Sequence, residues 1–178
     1  TAKTLAHSIL CERKGDKIPC NKCEACRQFQ KNIHPEVYWV EREINEKTGE
    51  RKGVISVEQI RELLDKINQR AFNNSYKVVI IPEAQFLNQS SSNAFLKNLE
   101  EPAAKTIIIM MTPSRDALLP TIQSRCQILK FLPVTREEIY DQLVANGANR
   151  SLAKELSALA NGKPTTAMQL FANTESLA

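Results

Sequence analysis

Apolar residues recur near helical spacing at Leu5, Ile9 and Leu10, and again at Ile60, Leu63, Leu64 and Ile67. Ser56 precedes the second stripe, and Gln59 three residues on makes the pairing of a capping box, so a helix is expected to begin there. Residues 27–33 read as another helix, broken at His34-Pro35, after which 37–40 read as a strand. Residues 77–81 are a second strand, ended by Pro82, and 106–111 a third. Its continuous apolar run from Ile107 to Met111 is of the kind that fills a buried parallel strand. Asn88 caps a helix that turns Ala94, Phe95 and Leu99 toward the core until Pro102 stops it. Residues 128–132, apolar at alternate sites, are expected as a fourth strand. Strands alternating with helices predict an α/β fold, a parallel sheet with helices on both faces.

The pattern changes at Pro133, beyond which it is purely helical. Helices are expected over 135–145, with Thr135 and Glu138 as a second capping box, over 151–160, and over 164–171 with a proline in the first turn. Three short helices make a small bundle. The expected division is a core at 1–132 and a helical domain at 133–178. Residues 41–53 are charged, include Gly49 and Gly53, and read as an exposed loop or hairpin.

A net charge of +4 permits contact with nucleic acid without requiring it. No apolar run approaches the roughly 20 residues of a membrane span, and the first residues lack a signal-peptide layout, so a cytoplasmic protein is expected. The helical start at Thr1, with no initiator methionine, suggests a sequence that begins inside a longer protein.

Four cysteines carry the clearest local chemistry. Cys11, Cys20, Cys23 and Cys26 are spaced C-x8-C-x2-C-x2-C, with Pro19 setting the turn. Each C-x2-C step brings two thiolates to one tetrahedral ion, and the set completes four sulfur ligands. Two disulfides are disfavoured without a secretory signal, and a redox pair does not need four clustered thiols. Structural Zn²⁺ is the expected occupant, since four thiolates leave no open position for water. Lys14, Lys22 and Arg27 are placed to soften the negative charge. Cys126 stands apart and reads as a small buried hydrophobe.

Together with the cysteines, Leu96-Lys97-Asn98-Leu99-Glu100-Glu101-Pro102 and Ser124-Arg125-Cys126 resemble motifs of the clamp-loader subunits of bacterial DNA polymerase III, members of the AAA+ superfamily. The likeness covers nearly the whole chain in the right order. It implies an AAA+ type parallel sheet flanked by helices, an inserted four-cysteine zinc module at 11–26, and a three-helix lid domain. It also implies a five-subunit ring, with gamma/tau and delta subunits as partners, that opens the sliding clamp and places it on primed DNA using ATP at subunit interfaces. Two zinc-bearing types are similar at this level: an ATP-hydrolysing gamma/tau type and a delta-prime type that serves as a stator.

Departures from the family pattern favour the stator. In an active site of this kind, the strand ending at Ile81 leads into an Asp that holds Mg²⁺ and a Glu that orients water. Here the residues are Pro82 and Glu83, and proline has no side-chain oxygen to offer a metal. Without that metal, Glu83 reads as a solvated carboxylate. The lid arginine expected of an active subunit is replaced within Gly162-Lys163-Pro164-Thr165-Thr166-Ala167, where Lys163 offers only a point charge. The phosphate-binding loop is expected just upstream of Thr1.

Arg125 is the candidate catalytic residue. The resemblance implies that it projects from the subunit edge toward ATP held by a neighbour, as an arginine finger in trans worth roughly 10³–10⁵ in rate. No partner for its charge within the chain is evident from the sequence. Glu100 and Glu101 are not expected to form an acid–base pair, because adjacent helical side chains point about 100° apart. Their place at a helix C-terminus opposes the macrodipole and suggests an interface or solvent role. Thr112 reads either as a nucleotide sensor or as a strand terminator. His7 and His34 read as ordinary surface or half-buried residues, and Tyr38 and Trp39 as packing residues. Two other functions remain open: a gamma/tau-type ATPase with a divergent metal site, and a module whose zinc cluster contacts DNA directly.

Overall fold

The computed structural model describes residues 1–13, 15, 17–69 and 75–175, which form two compact units, 1–128 and 129–178. In the first unit, α1 (Ala2–Leu10) and α2 (Glu24–Gln30) precede strand β1 (Val37–Trp39). Helix α3 (Val57–Asn68) leads to β2 (Lys77–Ile81), and α4 (Gln89–Glu100) leads to β3 (Thr106–Met110) and the short α5 (Pro120–Gln123). The three strands are parallel in the order β1-β2-β3. Val37, Tyr38 and Trp39 lie opposite Val78, Val79 and Ile80, and Ile80 and Ile81 opposite Ile109 and Met110.

Every residue of β2 is buried. Its side chains alternate between two cores, as the two-residue period of a strand requires. Val79 and Ile81 pack with Ile60, Leu63, Ile67 and Phe95 of α3 and α4. Val78 and Ile80 pack with Ala6 and Leu10 of α1, against partly buried Phe29 of α2. The sheet is therefore covered on both faces, as parallel sheets require. Helix α3 starts at the expected capping box: the Gln59 amide donates to Ser56 Oγ, and the Ser56 amide donates to Gln59 Oε1. Asn88 caps α4 by accepting from the Ser91 amide at 2.8 Å.

Two expectations are corrected. Helix α2 begins at Glu24, earlier than the apolar pattern indicated, because Cys23 is its N-cap. Residues 128–132 do not form a strand. β3 pairs only with β2 among the described residues, so this segment adds no strand to the sheet. Its apolar side chains stay out: Leu129, Phe131 and Leu132 are 65%, 74% and 79% exposed.

The second unit contains α6 (Arg136–Ala145), α7 (Arg150–Leu159) and α8 (Pro164–Glu175). Ile139, Leu143, Ala153, Leu156, Ala167 and Phe171 form its core. Thr135 and Glu138 close the second capping box, and Asn149 caps α7. Gly162 is required between α7 and α8. Its φ is +76°, and a Cβ there would lie 2.5 Å from that of Pro133.

Candidate functional site

The cysteine cluster joins the end of α1 to the start of α2. Cys11 follows the last turn of α1, Cys23 caps α2 and Cys26 lies in its first turn, fully buried. All four sulfurs lie within 4.8 Å of one another. The 3.9 Å between Cys20 Sγ and Cys26 Sγ excludes a disulfide. It fits the roughly 3.8 Å edge of a tetrahedron whose metal–sulfur bonds are about 2.3 Å. The Cys20 amide donates to Cys11 Sγ and the Cys23 amide to Cys20 Sγ, each at 3.4 Å. Backbone N–H groups of Lys22 and Cys23 draw the Cys20 thiol down to about 6, while burial pushes Cys26 up to about 12. One sulfur is thus readily ionised and another resists ionisation unless a cation offsets its burial. Four converging sulfurs with that requirement fit a metal ion. The Arg27 guanidinium, next in sequence to Cys26, pairs with Glu24 at 2.7 Å. Lys14 lies outside the described residues.

At the end of β2, Pro82 offers no side-chain ligand atom, and Glu83 is not the solvated carboxylate the sequence suggested. Arg42 grips it with a fork, Nε donating to Oε2 at 3.2 Å and Nη2 to Oε1 at 3.1 Å. Arg51 adds Nη1 to Oε2 at 3.2 Å and reaches Glu41 with Nη2 at 3.4 Å. The Arg42 guanidinium also lies 3.8 Å from the centre of the Phe86 ring. The Arg42 hydrogen bond, partly offset by desolvation, holds the Glu83 carboxyl below its ordinary range. Both arginines come from the charged segment 41–53, folded back as a hairpin with an antiparallel bridge between Ile44 and Arg51. The sequence left an exposed loop or a hairpin open and gave no sign of its target, which lies 41 and 32 residues away. The usable signal was two arginines on a hairpin next to a strand that ends in a lone Glu.

Arg125 sits in the turn after α5 and has a partner within the chain. Its Nε donates to Glu100 Oε1 at 2.7 Å, and its Nη2 also pairs with Glu100. Its Nη1 donates to the Thr121 carbonyl at 2.9 Å and to Ser124 Oγ at 3.2 Å. Ser124 Oγ in turn donates to Thr121 O at 3.1 Å, which fixes the turn. Glu100, the last residue of α4, therefore faces Arg125.

The remaining candidates are more ordinary. Thr112 Oγ1 donates to Ser114 O at 2.7 Å, closing a turn after β3. Cys126 is half-buried, and burial raises its thiol pKa. His7 is more buried than expected and stacks on Phe29 with ring centres 4.7 Å apart. His34 lies outside the sulfur cluster and accepts the Glu36 amide on Nδ1. Trp39 is 37% exposed, with Lys3 Nζ 5.2 Å from its ring.

The model of one protein family, DNA polymerase III, delta subunit, matches residues 1–135. Among curated proteins, the DNA polymerase III subunit delta-prime of Haemophilus influenzae is 35% identical over 93% of this chain and 48% of that protein. Its counterpart in Bacillus subtilis is 30% identical over 98% of this chain and 50% of its own length. The DNA polymerase III subunit gamma of Buchnera aphidicola from Schizaphis graminum is 31% identical over 96% of this chain and 46% of its own. The chain thus spans about half the length of the curated relatives it matches. A DNA polymerase III gamma subunit-related protein of Thermotoga maritima shares the fold at a TM-score of 0.52 and 23% identity, over 86% of this chain and 52% of that one. With the family model matched over residues 1–135, this chain belongs to the DNA polymerase III delta subunit family, and several of its relatives are delta-prime subunits.

Proposed function

We propose that this chain is the ATPase-like part of a delta-prime-type stator of the DNA polymerase III clamp loader. It does not hydrolyse ATP itself, and it supplies Arg125 as an arginine finger to ATP bound by a neighbouring subunit. On this reading, residues 1–132 are an AAA+ core and 133–178 its helical lid. The cysteines at 11, 20, 23 and 26 hold a structural Zn²⁺. The ring also contains gamma/tau and delta subunits, acts on the sliding clamp at primed DNA, and works in the cytoplasm.

The observation that carries the reading is the state of Glu83. Next to a proline with no side-chain oxygen for Mg²⁺, Glu83, the carboxylate that the resemblance assigns to orienting water, has both oxygens engaged by Arg42 and Arg51. A base whose lone pairs already accept three charge-assisted hydrogen bonds has little basicity left for water. The sequence resemblance and the relatives named delta-prime support the same assignment. Arg125, on a turn beside α4, has the permanently charged planar group that stabilises charge on a γ-phosphate.

In a complex reconstituted from full-length subunits, Arg125→Ala is expected to leave assembly intact while DNA-stimulated ATP hydrolysis and clamp loading fall sharply. Wild-type rates in an assembled complex would refute the finger. The relatives named gamma keep a second reading alive, an ATPase with a divergent metal site. It requires hydrolysis by the full-length subunit alone, abolished by Glu83→Gln.

A further inference from the structure

The hydrogen bonds around Arg125 raise a question that the finger reading leaves open. All three guanidinium nitrogens are engaged within the chain: Nε and Nη2 by Glu100, and Nη1 by the Thr121 carbonyl and Ser124 Oγ. A phosphate is best met by two parallel N–H groups on one edge of the fork. The Nε/Nη2 edge is the one that Glu100 occupies.

The other two contacts differ in kind. Thr121 O and Ser124 Oγ are neutral and belong to the turn that carries Arg125, so they move with it. Glu100 carries charge and comes from a separate element, the C-terminal end of α4. Its own helix dipole disfavours a carboxylate there, which leaves Arg125 as its electrostatic support. The pair is also open to water, with side chains 32% and 50% exposed, so solvent screens it and it opens easily.

We infer that Glu100 is a positioning residue: it holds Arg125 docked on α4 when no phosphate is in reach, and yields the Nε/Nη2 edge to the phosphate of the neighbouring subunit's nucleotide. This rests on the finger reading. Glu100 competes with nucleotide for the same N–H groups, so it sets the nucleotide concentration at which the finger engages without acting on the bound phosphate itself. Glu101, the C-cap residue beside it, has no part in this exchange.

The test uses the reconstituted complex with full-length subunits and ATP as the probe. Glu100→Gln, which removes the charge but keeps the shape, is expected to lower the apparent KM for ATP about two- to fivefold, the range that one exposed ion pair can supply. The maximal rate should stay close to wild type. Glu100→Asp, which keeps the charge, should retain most of the wild-type KM. Arg125→Ala should lose the maximal rate, and adding Glu100→Gln to it should change nothing further, because the competitor then has nothing to hold. If Glu100→Gln loses the maximal rate as Arg125→Ala does in an assembled complex, Glu100 is needed in the engaged state and the exchange is refuted. An unchanged KM in Glu100→Gln, with Arg125→Ala inactive, also refutes it while leaving the finger standing. Should Arg125→Ala be fully active, the finger itself fails and the exchange with it.

Discussion

Lys77 shows how much one side chain can organise. It opens β2 at 2% exposure, and its ammonium donates to the carbonyls of Lys66, Ile67 and Gln69 at the end of α3. Those are among the carbonyls a helix leaves without partners, and a cation there also complements the helix dipole. Lys77→Met keeps the apolar stem but removes all three hydrogen bonds, of which the one to the Ile67 carbonyl is buried, so it is expected to cost about 1–3 kcal/mol through that unsatisfied acceptor. The urea midpoint of the full-length protein, at unchanged slope, measures this, and a wild-type midpoint would refute the role. Arg42 is comparable. It is 18% exposed, forks onto Glu83 and stacks on Phe86, which a lysine could not reproduce.

The elements that sequence revealed are those whose signals are short-range. Ser56 with Gln59, Thr135 with Glu138, and the Asn88 cap each act within one turn, so their helices are legible. Asn149 caps α7 in the same way, so the helix starts at Arg150, one residue ahead of the expected 151. Helix α5 is not legible, since four residues are too few to show a period. The segment 128–132 has a strand's composition, but composition does not supply a hydrogen-bonding neighbour. The cysteine cluster is legible because Cys11, Cys20, Cys23 and Cys26 are close in sequence. By contrast, Glu83 with Arg42 and Glu100 with Arg125 are 41 and 25 residues apart, and only the sheet and the packing of α4 make them meet. At this scale the proposed metal site at the four cysteines can be tested directly. One equivalent of Zn²⁺ per chain is expected by elemental analysis, and Cys26→Ser should lose it together with the α1–α2 junction. A folded, metal-free protein with freely titrating thiols would overturn the assignment.

For the whole molecule, pH is the broadest probe. Burial lowers the pKa of both His7 and His34 from their ordinary 6.5, with Glu36 and Glu12 opposing the shift at His34. The folded state therefore favours neutral imidazole, and the unfolded chain takes up protons first. Stability from this source is fully present above about 6.5 and is lost as pH falls from there toward the lowered folded values. Glu83, held down by Arg42, adds a second decline below its ordinary 4.5. His7→Phe keeps an aromatic ring against Phe29 without a titrating group, so it should flatten the decline just below 6.5. Urea unfolding of both proteins across about pH 5 to 7.5 checks this, and identical slopes would exclude His7 as a source.

The entirely buried strand β2 has a consequence for chain length. Because both of its faces are apolar, sliding it by one residue would exchange Val and Ile for Val and Ile, and burial would hardly register the change. Its charged ends supply the missing measure. Lys77 is pinned to three carbonyls at one end, and Glu83 is pinned by two arginines just past the other. The strand is gauged like a rod seated in two sockets. Swapping one aliphatic residue for another along it is tolerable, whereas inserting or deleting a single residue would pull one charge out of its seat.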